Sequence, residues 1–309
     1  MKVSAQVPAT IANLGCGFDC LGLALPIYNT VTVEETVLPG SGIEINIIDE
    51  NNQNNIENIP RDKNNIVYKA IELLYNYIGQ TPNELKISIK TQIPVARGLG
   101  SSASVITGGL IAANELLGRP ADTAVLLSIA TEIEGHPDNI APAILGGVVL
   151  SDWEEDGSVT VNKLPWPEDW VVTICIPDYE LSTEISRSVL PKEVSLKDAA
   201  YNLRHAAMFV QAVYTKDEEL MKLSLKDKLH QPYRMKLVPG LSDIANELKH
   251  TEGVLGCVLA GAGPSVAIIQ NGTKNNLVKE IVSSVWENID VNAQIYTLPV
   301  LNEGAKIIK

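Results

Sequence analysis

Short runs of β-forming residues punctuate the first half of the chain. Such runs at residues 2–7 and 85–90 predict two strands, and a third is predicted at residues 145–151. Between the first two runs, residues 51–65 are rich in asparagine, which favours turns and loops. We therefore predict a surface loop there.

A longer apolar segment follows the second of these predicted strands. From residue 101 to residue 117, small and apolar side chains continue without a polar face until Asn114 and Glu115, and Gly118 follows directly. A stretch that is apolar all round predicts a mostly buried helix, and the glycine suits its C-terminal end. A second helix is predicted over residues 122–134.

Residues 153–170 interrupt this regularity. The stretch is acidic, contains proline and shows little periodicity, which is typical of a connection between domains. We place the boundary there, giving domains 1–155 and 156–309. The second half predicts a strand at 171–176, helices at 196–214 and 217–228, a further helix, strands at 254–260 and 265–269, a helix, and a strand at 293–298. This order predicts an α+β fold with antiparallel strands.

Composition narrows the functional classes. The chain has 309 residues, of which 45% are hydrophobic and 20% charged, as expected of a folded protein with two domains. Because 24 Lys and Arg face 37 Asp and Glu, the net charge of -13 disfavours binding to nucleic acid.

The cysteines and the hydropathy of the sequence indicate in which cellular compartment the protein is expected. The four cysteines form no CxxC pair, so they predict thiols of a reducing cytosol rather than a zinc site or a disulfide framework. The sequence has no apolar run of membrane-spanning length and no apolar core of a signal peptide. We expect a cytoplasmic protein that does not bind membranes.

Residues 94–104 carry the strongest chemical signal. They read Pro-Val-Ala-Arg-Gly-Leu-Gly-Ser-Ser-Ala-Ser and lie between a predicted strand and the long helix. Glycines let backbone amides approach a ligand, and a helix N-terminus offers unpaired N–H donors and partial positive charge, which suits phosphate. The spacing matches neither a Walker A loop nor a GxGxxG fingerprint. A glycine turn that only packs a helix on a strand is the alternative, which the adjacent Ser101 and Ser102 disfavour.

A second signal is the run Thr-Glu-Ile-Glu-Gly-His-Pro-Asp-Asn at residues 131–139. It places Glu132 and Glu134 in the last turn of a helix, where negative charge is disfavoured unless a cation lies nearby. Magnesium between Glu132 and phosphates would supply that cation. The alternative is that both glutamates are solvated surface residues.

Two further glycine-rich segments, each taken by itself, fit either a ligand-binding or a purely structural role. Residues 253–265 join two predicted strands through very small residues, which suits either close contact with a ligand or a tight β-connection. Residues 8–19 run from a strand into a loop bearing Asn13 and Asp19. Asp19 could pair with an ammonium group, or both side chains could only stabilise turns.

Taken together along the chain, these four segments resemble those of the GHMP kinases, a family of small-molecule kinases. Residues 94–102 look like the family's ATP loop, and residues 261–265 look like its C-terminal motif. The similarity covers nearly the whole chain. It implies a two-domain α+β fold, with an N-terminal ATP-loop domain, a ferredoxin-like C-terminal domain and the active site between them. Residues 12–19, 136–143, 182–191 and 231–239 are most similar to the members that phosphorylate homoserine.

The resemblance also implies residue roles. The implied ATP-binding set is Pro94, Arg97, Gly98, Leu99, Gly100, Ser101, Ser102 and Ala103. The implied substrate set is Asn13, Asp19, His136, Asn139, Thr183, Arg187, Arg234, Gly261 and Gly263. Ser102 and Glu132 are the implied Mg²⁺ ligands, and Asn139, His136 and Glu132 the implied catalytic residues. Residues 65–68 are expected near adenine, and a homodimer is one expected assembly.

L-Homoserine fits this set chemically. Asp19 can meet its ammonium group, and Arg187 and Arg234 can bind its carboxylate through charge-assisted hydrogen bonds. We expect Asn139 to orient the hydroxyl. Asp138 is an alternative base, although its side chain is expected to point away from the substrate. Three alternatives stay open: a mevalonate kinase, a shikimate kinase, and a non-catalytic ATP-binding regulator that would have lost the magnesium ligands.

Overall fold

The computed structural model describes residues 1–36, 42–51, 56–82, 84–272 and 275–308. Eleven strands are found in this described part of the chain. They are β1 (Lys2–Ala12), β2 (Leu21–Glu35), β3 (Ile43–Asp49), β4 (Leu85–Thr91), β5 (Val148–Trp153), β6 (Val159–Leu164), β7 (Trp170–Pro177), β8 (Val254–Leu259), β9 (Val266–Asn271), β10 (Ala293–Pro299) and β11 (Lys306–Ile308).

Ten α-helices and a 3₁₀ turn at Met235–Leu237 complete the described elements. The helices are α1 (Ile66–Tyr77), α2 (Ser101–Leu116), α3 (Thr123–Glu134), α4 (Pro137–Leu145), α5 (Thr183–Ser188), α6 (Leu196–Thr215), α7 (Glu218–Ser224), α8 (Gln231–Arg234), α9 (Leu241–Leu248) and α10 (Asn275–Glu287). No helix in the residues that the model describes is long and apolar enough to cross a membrane.

The first sheet has the strand order β11-β1-β2-β4-β3. Its centre is the long strand β2, which pairs with β4 through one half and with β5 through the other, and β5 in turn pairs with β6. All pairs are antiparallel except β3 with β4. Helices α1 to α4 belong to this first unit, and its buried side chains form the larger core cluster between sheet and helices.

The second sheet has the order β10-β7-β9-β8 and is antiparallel throughout. Helices α5 to α9 lie between β7 and β8 in the chain, and α10 lies between β9 and β10. This β-α-β-β-α-β arrangement is the ferredoxin-like pattern. The expectations of an α+β fold and of a ferredoxin-like second unit are confirmed.

Small residues bring α2 close to its neighbours. A Cβ atom on Gly108 would lie 2.7 Å from Val31 Cγ2, and one on Gly109 would lie 2.5 Å from Val67 Cγ1. These glycines therefore let the helix approach β2 and α1 more closely than any larger residue would allow. The close packing fixes the N-terminus of α2 at the junction of the two units.

The connection predicted at residues 153–170 is partly wrong, because β6 lies inside it and pairs with β5. Strand β6 is mostly exposed and polar, which explains the misleading composition. The boundary expected after residue 155 falls within the β5–β6 hairpin, so we propose the division after Leu164, with β11 returning to the first unit. The helix predicted over 217–228 is shorter, at Glu218–Ser224. Of the predicted loop at 51–65, residues 52–55 lie outside the described residues.

Candidate active site

A cavity of about 370 Å³, called the cleft below, lies between the two units. The first unit contributes the loop before α2 and the corner between α3 and α4, and the second contributes α5, α8 and the β8–β9 loop. Most predicted binding residues line it. They are Asn13, Asp19, Pro94, Arg97, Gly98, Leu99, Gly100, Ser101, Ser102, His136, Asn139, Thr183, Arg187, Arg234 and Gly261.

The loop before α2 has the conformation of an anion cradle. Gly98 and Gly100 have φ angles of 76° and 64°, the left-handed region that favours glycine. A Cβ on Gly98 would lie 2.2 Å from Ala260 O, and one on Gly100 would lie 1.9 Å from Thr10 Oγ1. No side chain caps α2 and no acidic residue lies in its first turn, so its amides remain available to an anion.

The side of the cleft nearest α1 is apolar. It is lined by Ile47, Ile59, Val67, Ile89 and Val105. Such a surface suits a planar, largely apolar group. Residues 65–67 line this part, as expected for an adenine site, whereas the two isoleucines from β3 and from the segment before α1 were not identified in the sequence.

The opposite side holds charges of both signs. Arg187 Nη2 lies 3.0 Å from Asp19 Oδ1, and both side chains are partly exposed. Asn13 Nδ2 donates to Gly261 O at 3.0 Å, and Asn13 Oδ1 accepts from the Asp19 amide at the same distance. Asn13 and Asp19 have positive φ angles, of 72° and 57°, in the left-handed region that Asn and Asp tolerate better than other non-glycine residues.

Arg234 is the second cation of this side, and it is buried. Its guanidinium donates to Ser186 O and to Gly261 O, each at 3.2 Å. Burial is the largest cause that lowers the Arg234 pKa, and the nearby charge of Arg187 lowers it further. The Phe18 ring lies under both guanidinium groups, 5.9 Å from Arg187 and 5.5 Å from Arg234. An anion bound between the two arginines would relieve their repulsion.

The α3–α4 corner brings acid and imidazole groups to the cleft. Glu134 ends α3, and its Oε2 accepts a 2.8 Å hydrogen bond from Ser102 Oγ. Burial raises the Glu134 pKa, against the opposing effects of His136 and of the Ser102 hydrogen bond. Ser102 is exposed and Glu134 partly exposed at the cleft. Two oxygen ligands next to an anion cradle form a site that a small, hard cation would stabilise.

His136 and Asp138 form a close pair. His136 Nδ1 lies 2.5 Å from Asp138 Oδ1, and the Asp138 carboxylate is almost completely buried. Burial, the largest effect, lowers the His136 pKa, but the hydrogen bond and charge of Asp138, together with Glu134, raise it overall. One ligand atom each of Asp19, His136 and Asp138 lie within 4.8 Å of one another, so two carboxylates and an imidazole meet in this part of the cleft.

Asn139 faces the cleft with its orientation fixed. Its Oδ1 accepts a 2.8 Å hydrogen bond from Thr10 Oγ1, and the Thr10 amide donates to Leu99 O at 3.1 Å. Thr10 therefore holds both the side chain of Asn139 and the loop before α2. Because Oδ1 is already engaged, the Nδ2 donor is the group of Asn139 that is left for a ligand.

Four sequence expectations need correction. Glu132 is exposed and does not line the cleft, since residues two apart on a helix point to nearly opposite faces; Glu134 lies beside Ser102 instead. Ala103 is fully buried in the core. Gly263 lies behind the loop, where its amide donates to Ala260 O at 2.8 Å. Asp138 was expected to point away, but it lines the cleft.

An anion cradle lies between an apolar pocket and a pocket with paired charges, an order that suits a kinase of small molecules that uses a nucleoside triphosphate. Comparisons with known proteins identify the class further. The model for the GHMP kinases N terminal domain matches residues 65–147, and the model for GHMP kinases C terminal matches residues 209–288. The chain belongs to the GHMP kinase family.

Relatives match over almost their whole length. The homoserine kinase of Carboxydothermus hydrogenoformans is 42% identical and covers 96% of this chain and 94% of its own. That of Microchaete diplosiphon is 40% identical, with 98% and 96% covered. The crystal structure of homoserine kinase from Cytophaga hutchinsonii has a TM-score of 0.89 at 29% identity and covers 99% of this chain and 97% of its own.

Proposed function

We infer that this chain is a kinase that transfers the γ-phosphoryl group of ATP to the hydroxyl of L-homoserine, giving O-phospho-L-homoserine for threonine biosynthesis. The full-length relatives at about 40% identity support this activity. The carrying observation in the structure is the position of Asp19, Arg187 and Arg234 on one side of the cleft, next to the glycine loop. These groups complement the ammonium and the carboxylate of an α-amino acid.

The two remaining parts of the cleft support a site for ATP. The apolar side suits adenine, and the amides of residues 98–102 suit the triphosphate. Pro94, Arg97, Leu99 and Ser101 line the same loop. The transferred phosphoryl group then lies between this loop and the charged side.

Magnesium fits Ser102 and Glu134. Their oxygen atoms lie 2.8 Å apart at the cleft, and hard oxygen ligands beside phosphates are the usual environment of Mg²⁺ in kinases. Burial already penalises the Glu134 charge, so a bound cation would compensate it. When bound, the ion would neutralise charge on the phosphates.

Homoserine has to replace an existing interaction. In the free cleft Asp19 and Arg187 pair with each other, so an ammonium and a carboxylate must each take one partner from that pair. The Asp138 carboxylate adds negative charge near Asp19, which favours the ammonium further. Thr183, Asn13 and Gly261 complete the proposed substrate pocket.

The reaction is an in-line displacement. The homoserine oxygen forms a bond to the γ-phosphorus, the bond from that phosphorus to the ADP oxygen breaks, and the hydroxyl proton passes to a phosphate oxygen. Asn139 orients the hydroxyl through Nδ2 and does not accept its proton, because an amide is not a useful base. Positioning and charge neutralisation supply most of the catalysis in such transfers, so a strong base is not required.

The alternatives have less support. A mevalonate or shikimate kinase would leave the acidic cluster around Asp19 without an ammonium partner. A non-catalytic regulator would have lost its magnesium ligands, whereas Ser102 and Glu134 are both present. We also propose the cytoplasm as the location, because the four cysteines are free thiols, as in a reducing compartment.

An ADP-release assay tests the proposal. ATP and Mg²⁺ are supplied with L-homoserine, mevalonate, shikimate or galactose in parallel, and the phosphorylated product is identified by mass spectrometry. Turnover with homoserine alone is expected. Turnover with mevalonate or shikimate instead would assign one of the alternative kinase activities, and no turnover in folded, ATP-binding protein would favour the regulator.

A further inference from the structure

A second cavity, of about 330 Å³, lies where the end of β7 pairs with the start of β10. Pro177 lies beside Ala293 and Ile176 beside Gln294 in the sheet, and all four residues line this cavity, called the β7–β10 pocket below. Its volume is close to that of the cleft and within the usual range of small-molecule sites. The size of the pocket is therefore that of a ligand site.

Arg97 connects the β7–β10 pocket with the cleft. Arg97 and Pro94 line both cavities. The backbone of Arg97 belongs to the glycine loop, whereas its guanidinium reaches β7, where Nη2 donates to Asp178 O at 3.1 Å. Asp178 lines the β7–β10 pocket and does not line the cleft. The charged end of Arg97 is therefore at the second cavity.

This guanidinium is buried and incompletely paired. Arg97 keeps 7% of its accessible surface. Its Nη1 has no hydrogen-bond partner among the described residues, which also provide no ion-pair partner for the group. Burial, the largest effect, lowers the Arg97 pKa, although the charges of Glu180 and Asp178 raise it in part. Because an unpaired buried cation is costly, an anion bound at Nη1 would stabilise it.

A second hydrogen-bond donor lines the same pocket. Gln294 Oε1 already accepts a 2.8 Å hydrogen bond from the Tyr296 hydroxyl, so the Gln294 Nε2 group is left for a ligand. Asp178 and Asn292 are exposed at the rim, where Asn292 Nδ2 donates to Asp178 Oδ2 at 3.0 Å. The pocket thus offers two donors, Arg97 Nη1 and Gln294 Nε2.

The remaining walls are apolar. They are formed by Pro94, Ile176, Pro177 and Ala293, whose side chains have no polar atom. A few donors in a largely apolar cavity are typical of a site for a small molecule with one polar end. A bare phosphate would leave these walls without a partner, and its two charges would lie near the Asp178 carboxylate. A singly charged group on a hydrocarbon body suits the pocket better.

We propose that the β7–β10 pocket binds a small organic monocarboxylate, with its carboxylate at Arg97 Nη1 and Gln294 Nε2 and its hydrocarbon part against the apolar walls. The charge-assisted hydrogen bond from the guanidinium is the strongest contact of this complex. The proposed phosphoryl transfer does not require this ligand. The site and the proposed activity can therefore fail independently.

Such a ligand would act on the glycine loop. Its negative charge would lie at the side chain of Arg97, while the amides of the same loop face the proposed triphosphate site. Two anions held by one loop repel each other, so each is expected to weaken the binding of the other by the same factor. The pocket would let a carboxylate lower the affinity for ATP without entering the cleft.

Titration of the whole protein with isovalerate tests the site, in the absence of ATP and homoserine. Saturation-transfer NMR of the ligand methyl protons follows binding, and saturable binding is expected in the wild type. Isovaleramide, which has the same shape without the charge, and inorganic phosphate, which has charge without the hydrocarbon body, are expected to bind at least roughly 10-fold more weakly. No saturable binding of isovalerate, or equal binding of either control compound, would overturn the proposal.

Substitutions locate the bound carboxylate. Arg97→Gln is expected to raise the dissociation constant for isovalerate roughly 10- to 100-fold, and Gln294→Leu roughly 3- to 10-fold. Gln211→Leu, the same change on the exposed surface of α6, and Arg187→Gln, which removes a cation of the cleft, are expected to keep the wild-type value. Circular dichroism verifies that each variant is folded. Weaker binding in Arg187→Gln but not in Arg97→Gln would place the carboxylate in the cleft and contradict the proposal.

Calorimetric titration with a non-hydrolysable ATP analogue tests the coupling. Saturating isovalerate is expected to raise the dissociation constant for the analogue roughly 5-fold or more in the wild type, whereas the same concentration of isovaleramide should leave it unchanged. An unchanged dissociation constant with the pocket saturated would show that the carboxylate does not act on the glycine loop.

Discussion

Ser102 Oγ and Glu134 Oε2 lie 2.8 Å apart and join the first turn of α2 to the last turn of α3 across the cleft. The two residues are separated by 32 positions in the chain. Their contact places a carboxylate beside the helix N-terminus at which we place the triphosphate.

The first prediction separates Glu134 from Glu132. Glu134→Gln is expected to raise the Mg²⁺ concentration for half-maximal rate roughly 10- to 100-fold, because it removes a charged oxygen ligand. Glu132→Gln, its matched control on the exposed face of the same helix, should leave that concentration unchanged. Magnesium titrations of the initial rate provide the measurement. Equal effects of the two substitutions would contradict our assignment.

The second prediction concerns the Asp19–Arg187 ion pair. Arg187→Gln is expected to raise the KM for homoserine roughly 10- to 100-fold, because one or two charge-assisted hydrogen bonds are lost. The KM for ATP should change little, because the substitution lies on the charged side of the cleft. Arg204→Gln, on the exposed surface of α6, is the control. If the KM for ATP rose as much as that for homoserine, Arg187 would not be specific to the amino acid.

The third prediction links the two substrates through Arg97. Its Nη2 donates to Asp178 O at 3.1 Å, and the Leu181 amide donates to Ala96 O at 3.0 Å. These two bonds tie the glycine loop to the segment that leads into α5, which carries Thr183. Nucleotide binding should therefore tighten homoserine binding, by a factor within the usual range of about 5 to 150 for coupled sites.

Arg97→Gln is expected to bring that factor towards one. Calorimetric titration with homoserine, with and without a non-hydrolysable ATP analogue, gives the factor directly. Arg119→Gln, which changes an exposed arginine paired with Glu115, serves as the control and should keep the wild-type value. A wild-type factor in Arg97→Gln would show that the guanidinium does not transmit the coupling.

The fourth prediction is a pH dependence of stability. Asp138 and Glu134 raise the folded-state His136 pKa above its usual value of 6.5, despite burial. The protonated imidazole therefore stabilises the fold fully below pH 6.5, and this contribution is lost as pH rises through the folded pKa. We expect the free energy of unfolding of the wild type, relative to His136→Asn, to fall as the pH rises above 6.5. Urea denaturation at several pH values measures it, and a constant difference would refute the shift.

The sequence was sufficient to predict α2, α3 and the antiparallel second sheet. Each of these depends on local features, namely an apolar run, a capping Asp122 and short β-forming stretches. Strand β6 was missed because it pairs on one side only and keeps polar residues exposed, so its composition is that of a loop. Its identity as a strand depends on β5, a tertiary contact.

The choice of Glu132 over Glu134 has a different cause. Leu127, Ala130 and Thr131 are buried, and Glu134 continues that face at helical spacing, whereas Glu132 does not. The helical phase could therefore have selected Glu134 from the sequence. The contact of Thr10 with Asn139 could not have been selected in this way, because it depends on how α4 packs against β1.

Strand β11 gives the first sheet an unusual order of assembly. Ser4 pairs with Ile308, so β1 receives this neighbour from just over three hundred residues away. During synthesis on a ribosome, β1 emerges at the start, but this edge stays open until residues 306–308 have left the exit tunnel. An uncovered strand edge invites pairing with other chains. The unit that holds the glycine loop therefore keeps an open strand edge while most of the chain is translated. A truncation that removed β11 would thus damage the unit that was synthesised first.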